Sequence, residues 1–247
     1  MEHLKYFLAL IALSIAQLLA GQTKKDVATF DKVIISPHIE ARFVESTEES
    51  VVIEESTEPE DKVNIEVNGN TLRVYLDDAK ETTKHKTIVK NGVKRKVPIY
   101  KGKVLTITVH YKQLETLSVR GEQAAICESK LDTDTFRLRI FGESDITINE
   151  VDLKYLDVDI FGASTLKIKK GSIENQKITA FGESFSDLVG VDNENTKLKA
   201  FGEAEFKINS SNKIKLTAFG EAKLYYKGDA SIHKGLNFGE VAISEIQ

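Results

Sequence analysis

Two columns of side chains carry whatever chemistry this sequence can do. Phe141, Phe161, Phe181, Phe201, Phe219 and Phe238 each precede a glycine. Glu143, Glu183, Glu203, Glu221 and Glu240 each follow one, as Glu122 does in Arg120-Gly121-Glu122-Gln123. Stacked phenyl rings on an outer surface would form an apolar stripe, the kind of patch that marks a binding or assembly face. A carbohydrate chain or another subunit could lie along it. Stacked carboxylates about 4.8 Å apart resemble the roughly 5–5.5 Å pair of a retaining glycosidase, and they could also hold a hard cation such as Ca²⁺. A catalytic pair is unique in its protein, whereas this spacing recurs in almost every unit, broken at Ala163. The acidic column therefore reads as a solvated row, with no catalytic residue, metal site or cofactor expected. The candidate ligand or assembly surface is Phe141, Phe161, Phe181, Phe201 and Phe219 with Glu183, Glu203 and Glu221.

Other reactive groups are sparse. His38, His85, His110 and His233 show no paired zinc spacing. The single cysteine, Cys127, excludes an internal disulfide and a thiolate cluster. No Gly-x-Ser-x-Gly, phosphate loop or Gly-x-Gly-x-x-Gly occurs. The formal net charge of −4 argues against a nucleic-acid binder working by bulk positive charge.

What would position the columns is a repeat. Gly121, Gly142, Gly162, Gly182, Gly202, Gly220 and Gly239 stand 21, 20, 20, 20, 18 and 19 residues apart. That period suits one coil of a short-rung β-solenoid, in which each coil contacts its neighbours alone. Each unit can be numbered from its Phe. Apolar residues then fall at odd offsets: Leu138 and Ile140 before the mark, Ile146 and Ile148 after it, and Val158, Ile160, Leu166 and Ile168 one unit on. Period-two alternation is a half-buried strand. Offset plus three is small (Ser144, Ser164, Ser184, Ala204, Ala222), as a tight corner requires. In-register stacking would set Arg137 over Asp157 over Lys177, Arg139 over Asp159, and Lys167 over Asp187. Opposite charges across a ladder favour that register. If alternation continues through the glycine, the phenylalanines point outward. If the glycine opens a bulge, they turn inward, and the general preference of aromatic rings for burial leans that way.

The rest of the chain is less regular. Val33–Ser36, Ile39–Val44, Val51–Glu54, Val63–Val67 and Leu72–Leu76 read as strands. Asn91-Gly92 inside Thr87–Lys96 is a strong hairpin signal, so Lys80–Lys103 is expected to project from the first coils. Leu105–His110 and Leu114–Val119 should then enter the stack, for roughly ten rungs in all. Glu45–Asp61 holds eight acidic residues and no basic one, and Lys80–Lys103 nine basic and one acidic. These segments could face each other, meet a polyanion such as surface polysaccharide, or simply be solvated. Phe7–Ala20 is apolar after Lys5 and too short to span a bilayer. Residues 1–21 therefore read as a signal peptide, leaving 22–247 as one domain, irregular over 22–110 and regular over 111–247.

The Phe30-Asp31-Lys32-Val33 opening, the segment Asn68–Leu76, the corner Leu114–Glu122 and the glycine-marked units resemble the bacterial auto-transporter adhesin head GIN domain family, over roughly Thr29 to Ile243. That resemblance implies an all-β, right-handed parallel β-helix, secreted or envelope-associated, without enzymatic activity. The family's corners read Ser-Gly-Ser-Gly or Ser-Gly-Ala-Gly, where this chain has Phe-Gly-Glu-Ala/Ser. The expected role is a non-enzymatic exported protein of the periplasm, outer-membrane surface or extracellular space. Its expected partners are surface polysaccharide or an envelope protein, with self-association open, and no nucleic acid or membrane span. A polysaccharide-cleaving enzyme and a purely structural spacer are the rival roles.

Overall fold

The computed structural model describes residues 23–246; the signal-peptide expectation lies outside them. The strands are β1 (Thr23–Asp26), β2 (Lys32–Ile35), β3 (Ile39–Glu45), β4 (Ser50–Ser56), β5 (Val63–Asn68), β6 (Thr71–Leu76), β7 (His85–Lys90), β8 (Val93–Pro98) and β9 (Leu105–Tyr111). The regular part continues with β10 (Thr116–Gly121), β11 (Ala125–Cys127), β12 (Leu131–Gly142), β13 (Asp145–Ile148), β14 (Val151–Gly162) and β15 (Ser164–Ile168). It closes with the long extended run β16 (Gly171–Lys227), then β17 (Ser231–Phe238) and β18 (Val241–Glu245). A parallel β-solenoid of about six turns results.

The inward rows are as the alternation predicts. Leu117, Leu138, Val158 and Ile178 lie over one another, as do Val119, Ile140, Ile160 and Ala180, and all are buried. Stacking like on like lets each rung cover the apolar face of the next, so burial that one rung cannot achieve alone is shared along the stack.

The corners explain the small residue at offset plus three. The Ser144 hydroxyl donates to the Gly121 carbonyl at 3.0 Å, and Ser164 repeats this on Gly142 at 2.9 Å. Ser144 and Ser164 are buried, as are Ala204 and Ala222. The inside of each turn has room for one small side chain and no more.

The order of the rungs departs from the order of the chain. β2 pairs with both β6 and β10, and β3 with both β9 and β11, all in parallel. The first rung is therefore interior to the stack. β4 runs antiparallel to β9, with β1 antiparallel beyond it, and β5 folds back antiparallel on β6. Between β3 and β10, β6 and β9 thus add one parallel rung outside the first, while β1, β4 and β5 close that end with antiparallel strands, which is why the turns number fewer than ten. Capping with antiparallel strands closes an end that would otherwise offer unpaired backbone groups. β7 and β8 form the expected hairpin, a separate two-stranded sheet turned by Asn91 and Gly92 at φ 52° and 76°. The acidic and basic segments meet at its base, where Lys103 lies 3.3 Å from Glu55.

Charge ladders pin the register. Arg139 contacts Asp157 at 3.3 Å and Asp159 at 3.1 Å, Lys177 contacts Asp157 at 2.9 Å, and Lys167 reaches Asp187 at 4.0 Å. Burial alone would push the Asp157 carboxyl up, but hydrogen bonds from Lys177 and Arg139, and their charges, hold it below the usual range. A carboxyl depressed on folding stabilises the protein above its unfolded value of about 3.9. That contribution disappears as pH falls through the lower folded value. Urea midpoints near neutral pH and at about pH 3 should therefore differ less in Asp157→Asn than in the parent; equal differences would remove Asp157 from the acid response.

Candidate functional site: an aromatic ladder on the outer face

Alternation runs unbroken through the glycine corners, so the phenylalanines point outward, against the lean toward burial. The reason is the corner interior, already filled by Ser144, Ser164, Ala204 and Ala222. Six rings stack in sequence. Successive centroids are 5.0, 4.9, 4.8, 5.3 and 5.4 Å apart from Phe141 to Phe238, and the first four ring pairs lie within 7° of parallel. Phe161, Phe181 and Phe219 are 37–38% exposed and the terminal Phe238 is 65% exposed.

Stacking decides what the stripe can offer. Each inner ring covers its neighbours' faces, so ring edges line the outer surface. The edge of a phenyl ring carries partial positive charge and its face partial negative. The stripe is therefore an apolar edge with a weak attraction for electronegative atoms. A sugar ring cannot lie face to face on the inner rings. At the N-terminal end Arg120, in the position of the missing seventh ring, sits 5.2 Å over Phe141 as a cation on its face. Glu81 holds Arg120 and Arg73 there.

The flanks differ in sign. On one side, Glu183, Glu203 and Glu221 are exposed as expected and border a shallow hollow with Phe185 and Lys223. On the other, the rows two and four residues before each Phe carry the charge. In the N-terminal half these rows neutralise themselves through Arg139, Asp157, Asp159 and Lys177. In the C-terminal half they present Lys197, Lys199 and Lys215, with Lys213 adjacent. No ion pair is made by these four lysines among the described residues. Unopposed like charges one rung apart are unfavourable, so an anion laid across them would relieve a standing repulsion. Sequence reasoning missed this lysine cluster, although the signal was present: the alternation of sign at these offsets stops after Lys177.

Two further features complete the surface. A broad acidic groove crosses several rungs, lined by Asp132, Asp134, Asp152, Glu174, Asp192 and Glu194. Lys130 bridges Asp132 and Asp152 at 2.9 and 3.0 Å, and Lys154 pairs with Asp134 at 2.8 Å. Among the described residues, no group of three or more His, Cys, Asp or Glu is disposed to hold a metal ion. Cys127 is buried in the core, where desolvation pushes its thiol up to about 12, so it remains a protonated apolar side chain.

The profile of the family described as "Putative auto-transporter adhesin, head GIN domain" matches residues 29–230. The chain belongs to that family. The match ends at 230, short of the Ile243 expected from the sequence, so β17, which carries Phe238, and β18 lie beyond it. Solved structures of the same fold include a putative adhesin from Bacteroides fragilis, 19% identical over 91% of this chain and 96% of the other, with a TM-score of 0.73. Another is a putative adhesin from Parabacteroides merdae, 17% identical over 92% and 95%, TM-score 0.65. A third, a putative lipid binding protein from Parabacteroides distasonis, is 15% identical over 92% and 96%, TM-score 0.66. At these identities the likeness is one of fold. No curated protein matches the chain. The chain is thus adhesin-like by family, and among the described residues no helix is long and apolar enough to cross a membrane.

Proposed function

We propose that this head GIN domain is a non-enzymatic, exported adhesin-like module. It grips an extended surface polymer along the phenylalanine ladder, with the lysine rows selecting acidic chains. The observation that carries the proposal is the six-ring stack exposed beside Lys197, Lys199 and Lys215. A straight stripe repeating every rung matches a polymer better than a compact ligand, because each rung offers the same ring edge, and the rungs of Phe201 and Phe219 add unpaired ammonium groups beside it. Acidic polysaccharide of the envelope is the partner class that fits both features. The exposed Glu183, Glu203 and Glu221 on the far flank would repel such a chain and so fix which side of the ladder it follows.

A glycan array scored for both retention and depolymerisation tests this. Retention of acidic glycans without cleavage supports the proposal. Product release would make the protein an enzyme, and silence across the array would leave a structural spacer. Phe181→Ser, at the centre of the stripe, should weaken retention on the order of thirtyfold if it is a binding hot spot. Losing two ring contacts should lower stability by roughly 1–3 kcal/mol. Lys197→Glu should abolish the preference for acidic chains while leaving stability nearly unchanged.

A further inference from the structure

We propose that the β7–β8 hairpin is a second, independent interaction element, one that docks on an anionic lipid surface by dipping its apolar tip between the headgroups. The hairpin forms its own two-stranded sheet. Every residue from His85 to Lys96 is exposed. A hairpin with nothing packed on either face is at best marginally stable in water, and this one bears side chains that water does not favour. Ile88, Val89 and Val93 are 37%, 66% and 54% exposed. They surround the tight Asn91-Gly92 turn, and the register sets Val89 beside Lys94 and Val93 beside Lys90.

Charge is arranged to match. Between Thr82 and Lys103 there is no acidic residue and there are eight basic ones. Of these, Lys84 and Lys103 pair with Asp78 and Glu55 near the base. Lys86, Lys90, Lys94, Arg95 and Lys96 make no ion pair among the described residues. Five unopposed cations around three exposed apolar side chains reproduce, on a β-ribbon, the layout of interfacial segments. Each Lys or Arg held near an anionic leaflet is worth roughly fivefold in affinity. An acidic polysaccharide would satisfy the cations but leaves Ile88, Val89 and Val93 in water, which is why a lipid surface is the better occupant. The base is held firmly enough to act as a mount. The Lys84 amide donates to Asp78 O at 2.8 Å and the Ile99 amide to Lys84 O at 3.0 Å. The His38 ring bonds Thr83 Oγ1 and Gly102 O at 2.6 and 2.7 Å.

The chain contains no tryptophan, so Val89→Trp installs a single reporter at the tip. With the purified protein, its emission should shift to the blue on mixing with phosphatidylglycerol/phosphatidylethanolamine vesicles. It should not shift with phosphatidylcholine vesicles or with soluble alginate. In vesicle co-sedimentation, Lys90→Glu/Lys94→Glu should lose affinity on the order of a hundredfold or more. Val89→Ser/Val93→Ser should bind more weakly and release at lower salt. All three variants should unfold at the parental temperature, because the tip touches no core residue. Phe181→Ser should keep vesicle binding, which separates this element from the ladder. Absence of a blue shift with anionic vesicles would overturn the proposal. So would undiminished binding by the charge-reversed variant, or alginate binding that Val89→Ser/Val93→Ser leaves untouched while vesicles are ignored.

Discussion

Gly162→Ala should destabilise the protein by about 4 kcal/mol or more, at the diagnostic end of single substitutions. Two separate constraints meet at this corner. The backbone sits at φ +123°, a conformation that L side chains rarely adopt. A methyl group there would also lie 2.2 Å from the Gly142 carbonyl oxygen and 3.0 Å from its carbon. That carbonyl cannot swing aside, because it accepts the Ser164 hydroxyl and belongs to the parallel ladder joining the two rungs. Relief therefore requires separating the rungs, which uncovers Ile140 and Ile160 together. A solenoid is coupled between nearest neighbours, so the break should also broaden the urea transition or split it in two. Gly69→Ala is the control. Gly69 also has positive φ, +57°, but nothing lies within 4 Å of an added Cβ, so its loss should stay near 1–2 kcal/mol. Equal losses in the two variants would mean that contact between rungs contributes nothing, and the stacking of the corners would have to be abandoned.

The same corner shows how much of the architecture the chain displays openly. A glycine every twenty residues is visible because both constraints recur in every rung, so the marks cannot drift. The pairing of Arg139 with Asp159 was equally legible, since in-register stacking turns a spacing in sequence into a distance in space. The position of the first rung was not. Whether β9 joins β3 from the capping side or follows it in the stack depends on antiparallel contacts with β4. Strand alternation looks the same for either pairing. β1 escaped for a related reason: Thr23–Asp26 has almost no apolar signal and is a strand because Ser50–Ile53 offers it an edge.

The ladder lies between these cases. Its residues stood out by type and spacing, while their direction was balanced between alternation and the tendency of phenyl rings to be buried. The deciding fact is volumetric. With Ser144 and Ser164 sealing the inside of the turn, no six-ring row could fit there. The lysine cluster beside the ladder was hidden in another way. Charges along a strand look like ordinary solvated positions until stacking shows which of them have partners one rung away.

The largest contrast expected from conservative truncation lies between two phenylalanines five residues apart on one strand. Phe206 is completely buried, and the residue one period before it is Ser186, itself fully buried. The large ring fills space that its small neighbour leaves. Phe206→Ala would set two small side chains in adjacent rungs and leave a large hole inside the core. The loss should therefore reach about 4–5 kcal/mol, the upper part of the range for a core phenylalanine. Phe201 faces outward in the ladder, with neighbouring centroids 4.8 and 5.3 Å away. Phe201→Ala forfeits two ring contacts and partial burial, roughly 1–3 kcal/mol. It leaves no internal cavity, since the space it vacates opens to solvent. Guanidinium titrations of the two variants against the parent would measure both losses on one scale. If Phe201→Ala proved as damaging as Phe206→Ala, the rings would be serving as core. An outer stripe free to grip a polymer would then lose its physical basis.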